Sequence, residues 1–158
     1  MITQKSLKTP LRYPGGKSRA VTKISQFFPD LIGFDEYREP FLGGGSVALW
    51  VTKQFPHLDI WVNDLYEPLY NFWSMLQTNG DEMTDSLKNY KTTHPNPDTA
   101  RELFEECKAK VGDRSTDNLN RAIAFYVINK CSFSGLSEAS SFSKQASDSN
   151  FSMRGIER

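Results

Sequence analysis

Cysteine is nearly absent, with only Cys107 and Cys131 in 158 residues. So sparse a pair excludes a disulfide scaffold, and neither thiol has neighbours at metal-ligand spacing, so no metal centre is expected. Histidine is equally scarce, and His57, placed after Pro56 in a neutral turn, reads as a loop residue rather than a catalytic base. Net charge is also missing. Nineteen Lys and Arg balance nineteen Asp and Glu, which argues against a purely electrostatic nucleic-acid binder. No apolar run is long enough to cross a bilayer, and Met1-Ile2-Thr3-Gln4 does not begin a secretory signal. A soluble, cytoplasmic protein with no membrane partner is the expectation.

What is present suits one ordinary domain with a sizeable core. Aromatic residues make up 13% of the chain, most of them to fill that core and some to stack on a ligand. The balanced charge is unevenly spread. Lys5, Lys8, Arg12, Lys17, Arg19 and Lys23 all precede the first acidic residue, Asp30. They make either a positive field for a phosphate or carboxylate partner or a solvated basic terminus.

The organising stretch is Glu39-Pro40-Phe41-Leu42-Gly43-Gly44-Gly45-Ser46. A lead-in that reads as a strand over 37–41 meets three glycines and then Ser46-Val47-Ala48-Leu49-Trp50, which reads as a helix reaching Phe55. Glycine admits positive φ and leaves the main chain open to close approach. The first turn of the following helix adds unpaired N–H groups and a partial positive charge. Gly43 and Gly45 give the G-x-G opening of the dinucleotide fingerprint, with Ala48 as the small residue in the third position. A second strand is expected over Leu58–Val62. Asp64, just past its end, is placed to accept hydrogen bonds from both hydroxyls of a ribose, or else to cap a helix starting at Leu65 with Glu67 as reciprocal partner.

Upstream, Tyr13-Pro14-Gly15-Gly16-Lys17 is a turn followed by a helix from Ser18 to Phe28, with Val21, Ile24, Phe27 and Phe28 on one face and Pro29 as its stop. Lys17 sits at the mouth of this loop, either to meet an anion or as a solvated lysine. Downstream the chain turns helical. Helices are expected over Leu65–Leu76, stopped by Asn79-Gly80, over Asp81–Tyr90, over Ala100–Lys110 with Asp98 as cap, and over Leu119–Lys130 with Asp117 as cap. Apolar residues surround most of the last of these, so it should be central. The serine-rich tail from Ser132 to Arg158 reads as flexible surface chain, with ordering against a polar partner as the alternative.

Together, Tyr13-Pro14-Gly15-Gly16-Lys17, Glu39 through Ser46, Asn63-Asp64 and Asn129-Lys130-Cys131-Ser132-Phe133-Ser134-Gly135 resemble the Dam-like, D12-class DNA adenine-N6 methyltransferases of restriction–modification systems, bacterial genomes and phages. The resemblance covers nearly the whole chain in the right order. It implies a Rossmann-like S-adenosylmethionine-dependent fold, direct methyl transfer to adenine N6 in double-stranded DNA, and a bacterial or phage-infected cytoplasm. Tyr13, Gly15, Gly16 and Lys17 would receive the methionine end of S-adenosylmethionine. Glu39, Phe41, Gly43 and Gly45 would shape the cofactor pocket, and Asp64 would hold the ribose. The Asn129–Gly135 segment would lie close to the cofactor and DNA cleft.

The family's Asp-Pro-Pro-Tyr motif does not occur in the sequence. Its absence assigns no catalytic residue here and leads to the expectation of an incomplete fold. Residues 1–80 would be the N-terminal part of the cofactor domain, and 81–158 a helical, DNA-recognition-associated insertion with its tail. Further strands would lie beyond Arg158. The isolated chain is expected to be an inactive fragment. A non-catalytic cofactor- or DNA-binding module, an interaction protein that merely inherited the fold, and one half of a split enzyme completed by a missing C-terminal half are the alternatives.

Overall fold

Two short strands and a run of helices make two compact units in the computed structural model, which describes residues 7–135 and 139–157. Among these, residues 15–65 form the first unit with residues 7–9, and Pro10–Pro14 joins the described residues from Tyr66 onward in the second.

The first unit is a strand–helix–strand piece. β1 (Glu36–Glu39) and β2 (Asp59–Val62) pair in parallel, Glu36 opposite Asp59 and Glu39 opposite Val62, with α2 (Ser46–Gln54) between them in sequence. Tyr37 and Glu39, like Ile60 and Val62, are half-buried and alternate with exposed neighbours, the period-two signature of a strand. β1 ends before the expected Phe41 because Pro40 has no N–H to offer the ladder. β2 begins after Leu58 because that residue's N–H donates to Phe55 at 3.1 Å in the preceding turn. On α2 the fully covered side chains are Ala48 and Val51; Val47 and Trp50 are half-buried. Trp50 meets Phe28 and Phe55 edge-on, with centroids 5.8 and 6.1 Å apart.

The helix expected from Ser18 to Phe28 is much shorter. α1 covers Val21–Ile24, and a 3₁₀ turn follows over Ser25–Phe27. So short a segment draws little from helix propagation, and the Ser25 hydroxyl donates to the Thr22 carbonyl at 3.1 Å, engaging the backbone locally. Val21 is buried, whereas Phe27 is 87% exposed.

The second unit is helical. α3 runs from Glu67 to Thr93 without the expected stop, so the boundary expected at residue 80 falls inside it. Asn79-Gly80 is a kink, with Asn79 at φ −132 and ψ 28. Met83 and Leu87 beyond the kink return to the same core as Leu69 and Phe72 before it, and this burial outweighs the local glycine cost of about 1 kcal/mol. α4 (Pro97–Val111) is capped by Asn96, whose side chain accepts from the N–H groups of Asp98 and Thr99, rather than by Asp98. Asp117 caps α5 (Asn118–Cys131) by accepting from Asn120 N–H at 2.9 Å.

Ten of the fourteen residues of α5 are buried, which makes it the helix that the others pack around. One of the ten is charged. Arg121 donates to Glu67 through both terminal nitrogens and to the Val111 carbonyl through Nε at 3.1 Å, so its buried guanidinium is partnered on every side that these bonds reach. Cys107 and Cys131 are buried free thiols, each with its pKa pushed up to about 12, chiefly by burial. They therefore act as small apolar fillers rather than nucleophiles.

The tail differs most from the flexible chain expected. α6 (Lys144–Asn150) and α7 (Met153–Ile156) bring Ala146, Phe151 and Ile156 into buried positions. Its serines are structural caps: Ser143 accepts from Ala146 N–H at 3.1 Å and Ser152 from Gly155 N–H at 3.2 Å. Composition alone reads such serines as solvent-loving.

Phe151→Ala is expected to lower the unfolding free energy of the helical unit by about 3–5 kcal/mol in urea titrations, the range for a fully buried Phe. A change near zero would show the tail to be unpacked.

Candidate functional site

The parallel register decides which side chain meets the glycine turn. Beyond the strand ends the ladder continues, with Asn63 N–H donating to the Glu39 carbonyl at 3.0 Å and Leu42 N–H to the Asn63 carbonyl at 2.9 Å. Asp64 thereby arrives beside Gly43, whose N–H donates to its Oδ2 at 2.8 Å. Such a charge-assisted bond is stronger than a neutral one. The capping alternative for Asp64 does not hold, because the N-cap of α3 is Tyr66 and Glu67 is paired with Arg121.

Within the turn, Gly45 N–H donates to the Leu42 carbonyl at 2.9 Å. Gly43 has φ 52 and Gly45 φ 68, both in the left-handed region, where an L side chain costs about 1–2 kcal/mol. Gly45 is also the N-cap position of α2 and supplies no side-chain cap. That role falls to Glu39 from the neighbouring strand. Its carboxylate accepts from Ala48 N–H, in the first turn of α2, and from the Tyr37 hydroxyl at 3.1 Å. Burial raises the Glu39 pKa above the ordinary value, while these two hydrogen bonds work in the opposite direction. Burial and the adjacent Glu39 charge likewise raise that of Tyr37. Two carboxylates thus brace the turn: Glu39 holds the start of α2, and Asp64 holds the turn itself.

The Gly15-Gly16-Lys17 loop belongs to the same unit. Gly15 has φ 72, whereas Gly16 does not need positive φ. The exposed Lys17 ammonium donates to the Gly15 carbonyl at 2.5 Å. Ser18 and Ser46 place their hydroxyls 2.7 Å apart, tying this loop to the first residue of α2. This pair was not anticipated, and its signal in the sequence is a small hydroxyl residue just after each glycine-bearing turn.

Phe41 is 82% exposed, so its ring does not line an enclosed wall. Tyr13 belongs to the helical unit with Pro10–Pro14. Of the basic arm, Lys5 lies outside the described residues, Lys8, Lys17, Arg19 and Lys23 are exposed, and the guanidinium of Arg12 is held by main-chain carbonyls. Among the described residues no group of three or more His, Cys, Asp or Glu could hold a metal ion, and no helix is long and apolar enough to cross a membrane.

Residues 13–152 match the family model for D12 class N6 adenine-specific DNA methyltransferases. The chain is 24% identical over 139 residues to the type II methyltransferase M.MjaIII of Methanocaldococcus jannaschii, covering 82% of this chain and 47% of that protein. It is 29% identical over 126 residues to a DNA adenine methylase of Vibrio cholerae, covering 80% and 42%. It is also similar to the modification methylase StsI of Streptococcus sanguinis, 27% identical over 113 residues. The chain spans less than half the length of these curated relatives.

The raised pKa of Glu39 means that the folded state holds this proton more tightly than the unfolded one. Its contribution to stability is complete below the ordinary carboxyl range and is lost as pH rises through the raised folded value. Denaturation curves between about pH 4 and pH 7 should therefore show a smaller fall in stability for Glu39→Gln than for the unsubstituted protein. Parallel falls would contradict the assignment.

Proposed function

Because the chain belongs to the D12 class of N6 adenine-specific DNA methyltransferases, we propose that its strand–turn–helix unit seats S-adenosylmethionine for methylation of adenine N6 in duplex DNA. The observation that supports this most is the bond from Gly43 N–H to Asp64 Oδ2 at 2.8 Å, which fixes an acidic side chain beside a glycine turn at the end of a parallel strand pair. In open α/β sheets that crevice is where nucleotide ligands sit.

The residues present suit such a cofactor. Left-handed Gly43 and Gly45 bring no side chain of their own to the turn, Gly43 is half-buried while Gly44 and Gly45 are buried, and Ala48 keeps the start of α2 small. A carboxylate has about four acceptor sites, so the Gly43 bond does not exhaust the capacity of Asp64 for ribose hydroxyls. Glu39 would keep α2 in register with the turn, while Gly15 and Gly16 would let the loop carrying Lys17 approach a carboxylate. Lys17 would exchange the Gly15 carbonyl for that anion. Tyr13 and Phe41 enter this assignment through their motifs. When bound, the cofactor supplies an electrophilic sulfonium methyl group; the protein contributes orientation and electrostatics.

In this reading β1, α2 and β2 are the opening of a Rossmann-like sheet, residues 1–80 contribute to the cofactor domain and 81–158 to DNA recognition. Double-stranded DNA is the partner, with a second segment bearing Asp-Pro-Pro-Tyr needed to grip the target amine. The compartment is the cytoplasm of a bacterial or phage-infected cell, where that DNA lies.

Calorimetry should show S-adenosylmethionine binding to the 158-residue chain. Asp64→Ala should weaken it tenfold or more, on the order of 1.5–3 kcal/mol for a hydrogen-bonded charge. Labelled methyl groups should not accumulate on DNA with this chain alone. Absence of binding, or an Asp64→Ala protein that binds as tightly, would overturn the site; sustained turnover would overturn the inactive-fragment reading.

A further inference from the structure

Asn129, in the last turn of α5, is 2% exposed and directs its amide at residues remote in sequence. Its Oδ1 accepts the Arg12 N–H at 2.9 Å. Its Nδ2 donates to the Arg12 carbonyl and to the Gly135 carbonyl, each at 2.7 Å. Only a side-chain amide offers an acceptor and two donors in so small a group, and here it brackets the N–H and C=O of one residue as a neighbouring strand would.

Arg12 completes the bracket from its own side. Its guanidinium donates to the carbonyls of Ser132 at 2.8 Å and Phe133 at 3.1 Å. Gly135 has φ +71, and a Cβ there would stand 2.7 Å from both Cβ and O of Arg12. The backbone from Ser132 to Gly135 is therefore folded directly onto Arg12, with no room for a larger residue at 135. All of these groups lie in the helical unit.

Arg12 is followed at once by Tyr13-Pro14-Gly15-Gly16-Lys17. The bracket consequently fixes the point from which that loop leaves the helical unit, and the same bonds set the course of the 132–135 backbone. We infer that Asn129 is a positioning residue which, through Arg12, couples donor occupancy at the Tyr13–Lys17 loop to the order of the Ser132–Gly135 loop. The inference rests on the S-adenosylmethionine reading above. Coupling of this kind is reciprocal: a donor that stills the first loop tightens the second, and a bracket that holds the second strengthens donor binding by the same factor.

Backbone hydrogen exchange at residues 133–135 of the 158-residue chain, with and without saturating S-adenosylmethionine, tests this alongside calorimetry. The donor should slow exchange there by about tenfold. Asn129→Asp keeps the shape but replaces the two donations with acceptors; it should bind the donor about tenfold or more weakly and lose the protection. Arg12→Met retains the backbone bracket and removes only the guanidinium bonds. It should show a smaller loss of both, and it decides the matter if Asn129→Asp does not fold. A purely structural role would lower the melting temperature of these variants while leaving donor affinity and donor-induced protection unchanged, and that result overturns the inference. Donor binding by the unsubstituted chain without protection at 133–135 overturns it too, leaving the cofactor site intact. No donor binding at all overturns both.

Discussion

The hydrogen bond from Gly43 N–H to Asp64 depends on a register that a single-residue slip would destroy. Parallel pairing of Glu39 with Val62 and continuation of the ladder through Asn63 carry Asp64 to the turn. Side chains alternate along a strand, so a shift by one residue would turn that carboxylate to the other face. Pro40 ends β1 at the right place for the chain to enter Leu42–Gly45 as a turn instead of a further ladder. The site is thus a consequence of strand termination as much as of the glycines.

Two acids on one short unit do different work because their surroundings differ. Glu39 is half-buried against Tyr37 and the start of α2, which disfavours its charge even as hydrogen bonds support it. Asp64 reaches a backbone N–H at the turn, where a negative charge is met by a polarised donor. In the helical unit the same economy recurs. Arg121 is tolerated inside because Glu67 and the Val111 carbonyl accept its hydrogen bonds, and Asn129 because its amide is engaged by Arg12 and Gly135.

Much of this was legible in the chain itself. The triple glycine announced a strand–turn–helix unit, and the apolar circumference of α5 announced a central helix. Asn79-Gly80 misled because local stop chemistry is weak beside the burial of Met83 and Leu87, which no window of a few residues reveals. The tail misled because Ser143 and Ser152 look like solvent-facing residues until Phe151 and Ile156 supply a reason to fold. Phe27 erred the other way, since spacing on a helical wheel says nothing when the helix lasts only one turn. The fit of Gly135 against Arg12 is a long-range contact and has no signature in sequence beyond the glycine itself.

A methyl donor received by the turn that Asp64 braces must be felt by the amides of that turn. The most direct measurement is an NMR titration that follows the backbone amides of Gly43, Gly44 and Gly45 as S-adenosylmethionine is added. These resonances should shift saturably and among the first, with Gly43 moving as its bond to Asp64 is re-partitioned. Saturable shifts confined to other residues, with the three glycines unmoved, would mean that the donor binds away from this turn.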